Sequence, residues 1–374
     1  MARLASLVLA GLAVSSCFGS PPQGAQASTP PEVPPVSGVP PPSYLVLQTS
    51  SAGGSPGSMS VKIVDLHGVV AASASFTAPS MPQLASCQTV TQPPVRAAGG
   101  AAFYADSAGL VHRLDTSGKT TTAATFKLSG NAQFLSYAVS PDGSRLMASV
   151  ITAPATGTGH WTLDLESAPL GGATTVVKHV DLGSDPSSGA FVMAGWDGIG
   201  PTATADSDLC VGLSPASAEY AGAALVHLST TGTVMDHVGG QGCAPMDELA
   251  DGTVLCVADR FDCGTFTVRQ ANGDTIWRRA VKCPFVEPHL SPDGQAVAAS
   301  GALTLIYRRA LDRPASFARQ QEPDVTILGW AGSGLVLVTR GDGELGLSVP
   351  INPLQLTDLH LNYGADVHLA GALP

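Results

Sequence analysis

Val139-Ser140-Pro141-Asp142-Gly143 and Leu290-Ser291-Pro292-Asp293-Gly294 are one phrase written twice, and each opens onto a short apolar run. Serine and aspartate side chains bond their own backbone two residues on, proline presets φ, and glycine accepts a positive φ. The phrase therefore reads as a turn between two strands. A turn so specified, repeated at a distance, implies that the strands around it repeat as well. A second hairpin type recurs four times around a turn glycine: Val61 to Val70 around Gly68, Leu110 to Thr122 around Gly118, Ala224 to Met235 around Gly232, and Phe266 to Trp277 around Gly273. A third echo pairs Ala194-Gly195-Trp196-Asp197-Gly198 with Leu328-Gly329-Trp330-Ala331-Gly332.

Laid end to end, these turns mark seven units of about 30 to 55 residues, close to the 40 to 50 of a β-propeller blade. The units begin near Tyr44, Val95, Gln133, Phe191, Cys243, Val286 and Val325. Each is read as four strands, with the Asp-Gly type of turn between the first and second. The expected fold class is all-β, a single β-propeller of seven four-stranded blades, with six or eight as neighbouring counts. A pair of β-sandwiches also offers many short strands, but it does not repeat the same two hairpins at blade spacing. The apolar residue, Ser-Pro-Asp-Gly and β run together resemble the WD40-like (PD40) repeats of TolB-type bacterial periplasmic propellers. Blades three and six carry the phrase in full, and Asp251-Gly252 keeps half of it in blade five. The α/β domain that precedes the propeller in that family has no counterpart here, so the family's partners are not carried over.

Ahead of the repeats, Arg3 and the apolar stretch Leu4 to Val14 form a targeting segment, far shorter than the roughly 20 residues that span a bilayer. Val14-Ser15-Ser16-Cys17 closes it and resembles the lipobox of bacterial lipoproteins. That resemblance implies a signal peptide over residues 1–16 and lipidation of Cys17. Cleavage after Ala25-Gln26-Ala27, as in an ordinary secretory signal, is the alternative. Residues 17–43 form a disordered linker in which Pro30-Pro31, Pro34-Pro35 and Pro40-Pro41-Pro42 favour extended polyproline. The propeller is expected over residues 44–374. The expected address is extracytoplasmic, with the chain anchored to a bacterial membrane through Cys17.

Charged residues make up 13% of the chain and aromatics 5%, with 42 glycines, which excludes long amphipathic helical faces. The formal net charge of -11 repels nucleic acid. Arg278, Arg279, Arg308, Arg309, Arg313 and Arg319 are read as the solvated outer edge of neighbouring blades. With Cys17 set aside, Cys87, Cys210, Cys243, Cys256, Cys263 and Cys283 are an even set in an exported chain and read as disulfides. Blade topology makes a bridge from Cys263 to Cys283 or Cys243 reasonable. Zinc binding by these cysteines lacks a Cys-x-x-Cys pair and a matching His spacing.

Catalytic templates fail one at a time. Gly53-Gly54-Ser55-Pro56-Gly57 has the letters of a nucleophile elbow without a following helix, and Gly341 to Gly346 matches Gly-x-Gly-x-x-Gly but leads into a strand. Asp206-Ser207-Asp208 reads as an exposed loop, and Trp161, Trp196, Trp277 and Trp330 as packing anchors. One constellation remains. Aligning the blades on their Asp-Gly turns superposes His289 on Asp247, and Glu287 lies two residues before His289, on the same strand face. Asp247, Glu287 and His289 are therefore the expected ligand-binding residues at the channel mouth. Alternatively, they hydrogen-bond across blades and satisfy the channel wall. No catalytic residue, metal or cofactor is inferred. The expected protein is a monomeric, membrane-anchored scaffold binding an envelope protein or small ligand. The alternatives are a hydrolase or lyase with a metal or acid/base site at the channel mouth, and a structural component of an envelope complex.

Overall fold

The computed structural model describes residues 42–50, 57–79, 95–129, 133–155, 158–184, 190–205, 224–257, 264–281, 286–300, 304–316, 325–332, 334–340, 343–349, 355–363 and 367–374. All of them fall in the unit Val36–Pro374, and among them there is no helix.

The two Ser-Pro-Asp-Gly phrases build the same turn. The Ser140 amide donates to the Arg145 carbonyl at 2.9 Å, and the Gly143 amide to the Ser140 carbonyl at 2.7 Å. Ser140 Oγ accepts the Arg145 amide, and Asp142 Oδ1 accepts the Ser144 amide, each at 3.0 Å. Ser291 and Asp293 repeat the pattern on Ala296 and Gln295 at 2.8 and 3.0 Å. Gly143 and Gly294 sit at φ 71° and 66°, where a β-carbon is strained. Each turn thus satisfies its own polar groups and returns the chain antiparallel, Gln133–Val139 onto Arg145–Thr152 and Val286–Leu290 onto Ala296–Ser300.

Seven four-stranded antiparallel sheets result, the blades of a β-propeller. The inner strands of blades two to seven are Arg96–Ala98, Gln133–Val139, Phe191–Trp196, Ala244–Glu248, Val286–Leu290 and Thr326–Gly332. Each begins at the expected position or one residue after it. The four glycine-centred hairpins are the outer strand pairs of blades one, two, four and five.

Blade one departs from expectation. Tyr44 does not open it, because its innermost strand is Val367–Leu373, paired antiparallel with Tyr44–Ser50 from Tyr44↔Leu373 to Thr49↔Val367. The Ser43 amide adds a bond to the Leu373 carbonyl at 2.8 Å. The ring is closed by a hydrogen-bonded ladder within a blade shared by the two ends of the propeller. No turn joins that blade's first and second strands, so it carries no Asp-Gly signal.

Neighbouring blades pack face to face, and each of the seven seams holds its own cluster of buried apolar side chains. Between blades two and three, Phe103, Phe126, Leu135, Tyr137 and Leu146 are fully buried. Among the described residues the seam between blades four and five is the poorest, with only Ala194, Leu225, Val238, Val254 and Cys256. There the third strand of blade four, Ala224–Leu228, packs against the inner strand of blade five. Cys243 and Cys256 form a disulfide beside this cluster. The bridge joins the segment just before blade five's first strand to its second strand, Val254–Val257, and so corrects the expected pairing of Cys243 with Cys263. Cys17, Cys87, Cys210, Cys263 and Cys283 lie outside the described residues. Of the arginines, Arg278 and Arg279 stand on blade five's outer strand, Thr275–Ala280, and Arg279 donates to the carbonyls of Arg308 and Arg309 in blade six. Arg319 lies outside the described residues.

Candidate functional site

Asp247 and His289 stand on the inner strands of blades five and six, as the turn alignment places them. Asp247 Oδ2 accepts the Leu290 amide at 2.7 Å and Oδ1 accepts the Glu248 amide at 2.9 Å, so this side chain stitches the two blades together. Burial pushes its carboxyl up to about 7, against the lowering effect of those two amides. Burial pushes the His289 imidazole down to about 4, which leaves it neutral near pH 7. Glu287 lies on the same strand, with its side chain outside the described residues.

Two tryptophans bridge blades. Trp277 stacks edge-on against Phe266 and donates its indole N–H to the Gly294 carbonyl at 2.8 Å. Trp330 donates to the His289 carbonyl at 2.9 Å. Trp161 and Trp196 are half-buried against the seam of blades three and four. Gly343 turns into the strand Glu344–Val349, as expected of the glycine-rich match there. The Ser55 loop and Asp206-Ser207-Asp208 lie outside the described residues.

A second convergence lies on the opposite side of blade five's inner strand. In the turn after Phe191–Trp196, the Asp197 amide donates to the Gly200 carbonyl at 3.0 Å. Asp197 Oδ1 accepts the amides of Ile199 and Gly200 at 2.8 and 2.9 Å. These bonds fix the carboxylate so that Oδ2 meets His227 Nε2 at 2.9 Å. His227 stands on Ala224–Leu228, between its register partners Thr202 and Asp236, and its Nδ1 bonds Asp236 on the outer strand Val234–His237. Glu248, the last residue of Ala244–Glu248, accepts the Thr202 hydroxyl on Oε2 at 2.9 Å. Its Oε1 is buried without a hydrogen-bond partner. Asp197 and His227 are buried, and ligand-capable atoms of Asp197, His227 and Glu248 all lie within 4.8 Å of one another.

The electrostatics of this cluster oppose simple burial. Burial would push the His227 imidazole down, but the bonds and charges of Asp197 and Asp236 outweigh it and raise the group, so that it is an imidazolium near pH 7. Burial first, and the charge of Asp197 second, push the Glu248 carboxyl up. The arrangement can hold protons or a cation.

The sequence gives no separate signal for this site. Blade seven has Ala331 where blade four has Asp197, within otherwise matching Gly-Trp-x-Gly turns. Asp197-Gly198 is blade four's copy of the Asp-Gly first turn, its Oδ1 bonding the amide two residues on as Asp142, Asp251 and Asp293 do, so the sequence marks Asp197 as a turn residue and not as a ligand.

On its outer side, Asp236 lines an open recess of about 530 Å³, formed by the first turns of blades four, five and six and the outer turn of blade five. Asp236, Asp251 and Asp293 contribute carboxylates, and Gln270, Asn272 and Gln295 contribute amides. No lysine or arginine is among the lining residues.

No protein-family model and no curated protein matches the chain. Among solved structures it is similar to a functionally unknown protein from Desulfotomaculum acetoxidans (8% identity, TM-score 0.46), over 88% of this chain and 99% of that one. A candidate 6-phosphogluconolactonase from Bacteroides fragilis is 13% identical, with TM-score 0.45, over 87% and 98% of the two chains. A protein from Lactobacillus plantarum is 12% identical, with TM-score 0.43, over 87% and 99%. Likeness of this degree carries no activity to this chain, and the propeller assignment stands on the seven sheets themselves.

Proposed function

We propose that this chain is an exported, lipid-tethered β-propeller that binds a ligand bearing an amine or guanidinium group in the recess of blades four to six, without transforming it. The observation that carries this reading is the lining: Asp251 and Asp293, two carboxylates with no lysine or arginine among the described lining residues, beside three side-chain amides and Asp236, whose charge His227 already meets. A cationic ligand supplies the missing counter-charge, and partial enclosure strengthens the attraction relative to open water. Ile199, half exposed, and Ile276 give the recess an apolar edge for the ligand's hydrocarbon part. The tether rests on Cys17 and the proline-rich segment behind it.

Calorimetric titration of the full-length protein with spermidine and with a short arginine-containing peptide tests the recess. Binding that weakens as salt rises, and is lost in Asp251→Asn/Asp293→Asn, is the expected result. Asparagine keeps the oxygen through which each aspartate accepts its turn amide, so the turns survive the change. Absence of binding, or binding indifferent to those substitutions, rejects the recess. Mass spectrometry of the membrane-extracted protein tests the tether: an acylated Cys17 at the N-terminus supports it, and an unmodified Cys17 overturns it.

A further inference from the structure

We infer that Asp197, His227 and Glu248 form a binding site for one divalent transition-metal ion of the zinc or manganese class, in the seam between blades four and five. This site shares Asp236 with the recess and does not depend on a ligand there.

Each of the three side chains has its outer polar atom engaged. Asp197 Oδ1 holds two backbone amides, His227 Nδ1 holds Asp236, and Glu248 Oε2 holds the Thr202 hydroxyl. The atoms not held by those outer partners are Asp197 Oδ2 and His227 Nε2, which bond each other through a proton that an ion would displace, and Glu248 Oε1. Orienting partners of this kind are what metal ligands require, and a carboxylate on the far nitrogen of a ligating histidine is one of them. The 2.9 Å between Asp197 Oδ2 and His227 Nε2 is a hydrogen-bond distance, and a tetrahedral ion about 2.1 Å from each would part them to about 3.4 Å.

The second observation is Glu248 Oε1, a buried carboxylate oxygen with no partner. A group of that kind is costly to leave unsatisfied, and an ion among the three atoms satisfies it. One imidazole and two carboxylates form an N,O donor set suited to zinc or manganese, whereas calcium takes six to eight oxygens. The ligands come from both blades, Asp197 and His227 from blade four and Glu248 from blade five, so the ion ties the seam with the least apolar packing. Asp236, at the wall of the recess, marks the way in.

The test is titration of chelator-treated full-length protein with Zn²⁺ and with Mn²⁺, read by calorimetry and elemental analysis, and repeated on Glu248→Gln. Glutamine keeps the oxygen that accepts from Thr202 and loses the ionic donor. The expected result is one equivalent of metal per chain, with affinity at least about 10-fold weaker in Glu248→Gln, the loss typical of a ligand or its support. A measurement on the unaltered protein stands beside it: the His227 ring resonances shift on adding Zn²⁺. A folded protein that takes up no stoichiometric metal, equal affinity in Glu248→Gln, or unmoved His227 resonances would each overturn the site and leave a cluster that holds protons only.

Discussion

The seam between blades three and four and the seam between blades four and five flank the same sheet and are built from different materials. The first buries Phe134, Met147, Ile151, Leu163 and Leu165 against Phe191, Met193, Val226 and Leu228. The second has five apolar residues, a disulfide, and the Asp197–His227–Glu248 cluster with Thr202 and Asp236 around it. His227 sits between Val226 and Leu228, so one strand feeds both kinds of seam. An apolar seam needs only shape and volume to hold. The polar seam costs desolvation wherever a partner is missing, so it holds only where its hydrogen bonds and charges are matched.

Four measurements break or sharpen that contrast. Asp197→Asn leaves the His227 imidazolium short of one buried partner, and denaturant unfolding is expected to show a loss of about 3–5 kcal/mol. Asp197→Asn/His227→Gln is expected to cost less than the sum of the two single changes, whereas additivity would mean that the polar seam is not a network. In the apolar seam, Met147→Ala is expected to cost about 2–5 kcal/mol through the cavity it leaves, with no dependence on salt. A salt-sensitive loss there would erase the distinction. Replacing Cys243 and Cys256 together by alanine removes a link of sequence separation 13, and is expected to cost about 3 kcal/mol by freeing the unfolded chain. A negligible change would show that the polar cluster holds the seam by itself.

The last expected effect is a pH dependence in the next blade. Burial holds the His289 imidazole at about 4, below its ordinary 6.5, so between those values the folded state binds fewer protons than the unfolded state. Its contribution is complete above pH 6.5 and is lost as pH falls toward 4, by on the order of 3 kcal/mol. Unfolding curves of His289→Asn should lack that acid slope. An unchanged slope would place the acid sensitivity elsewhere.

What was legible in the sequence was whatever is decided locally. A Ser-Pro-Asp-Gly turn satisfies its own hydrogen bonds, so its letters are enough to find it, and the positions of blades two to seven followed from the turns. The closing strand Val367–Leu373 was not legible, because its partner Tyr44–Ser50 lies at the other end of the propeller and only the closed ring sets their register. The site was half legible for a geometrical reason. Successive residues of a strand face opposite ways, and here Asp247 reaches Leu290 in blade six while Glu248 reaches Thr202 in blade four. Alignment on the turns selected Asp247 and passed over its neighbour. Asp197 and His227, 30 residues apart, meet only through the folding of their own sheet, and no local spacing announces that pair.

The closing strand also sets an order of events. As the chain is made, blades two to seven can form in sequence, while Tyr44–Ser50 waits with its inner edge bare for the seven residues Val367–Leu373. For all of that interval the unfinished ring displays a row of unpaired amides and carbonyls, the kind of edge that accepts any matching strand. The same strand of a second molecule fits it as well as the molecule's own, so the yield of closed monomers is a race between one chain finishing and two chains meeting.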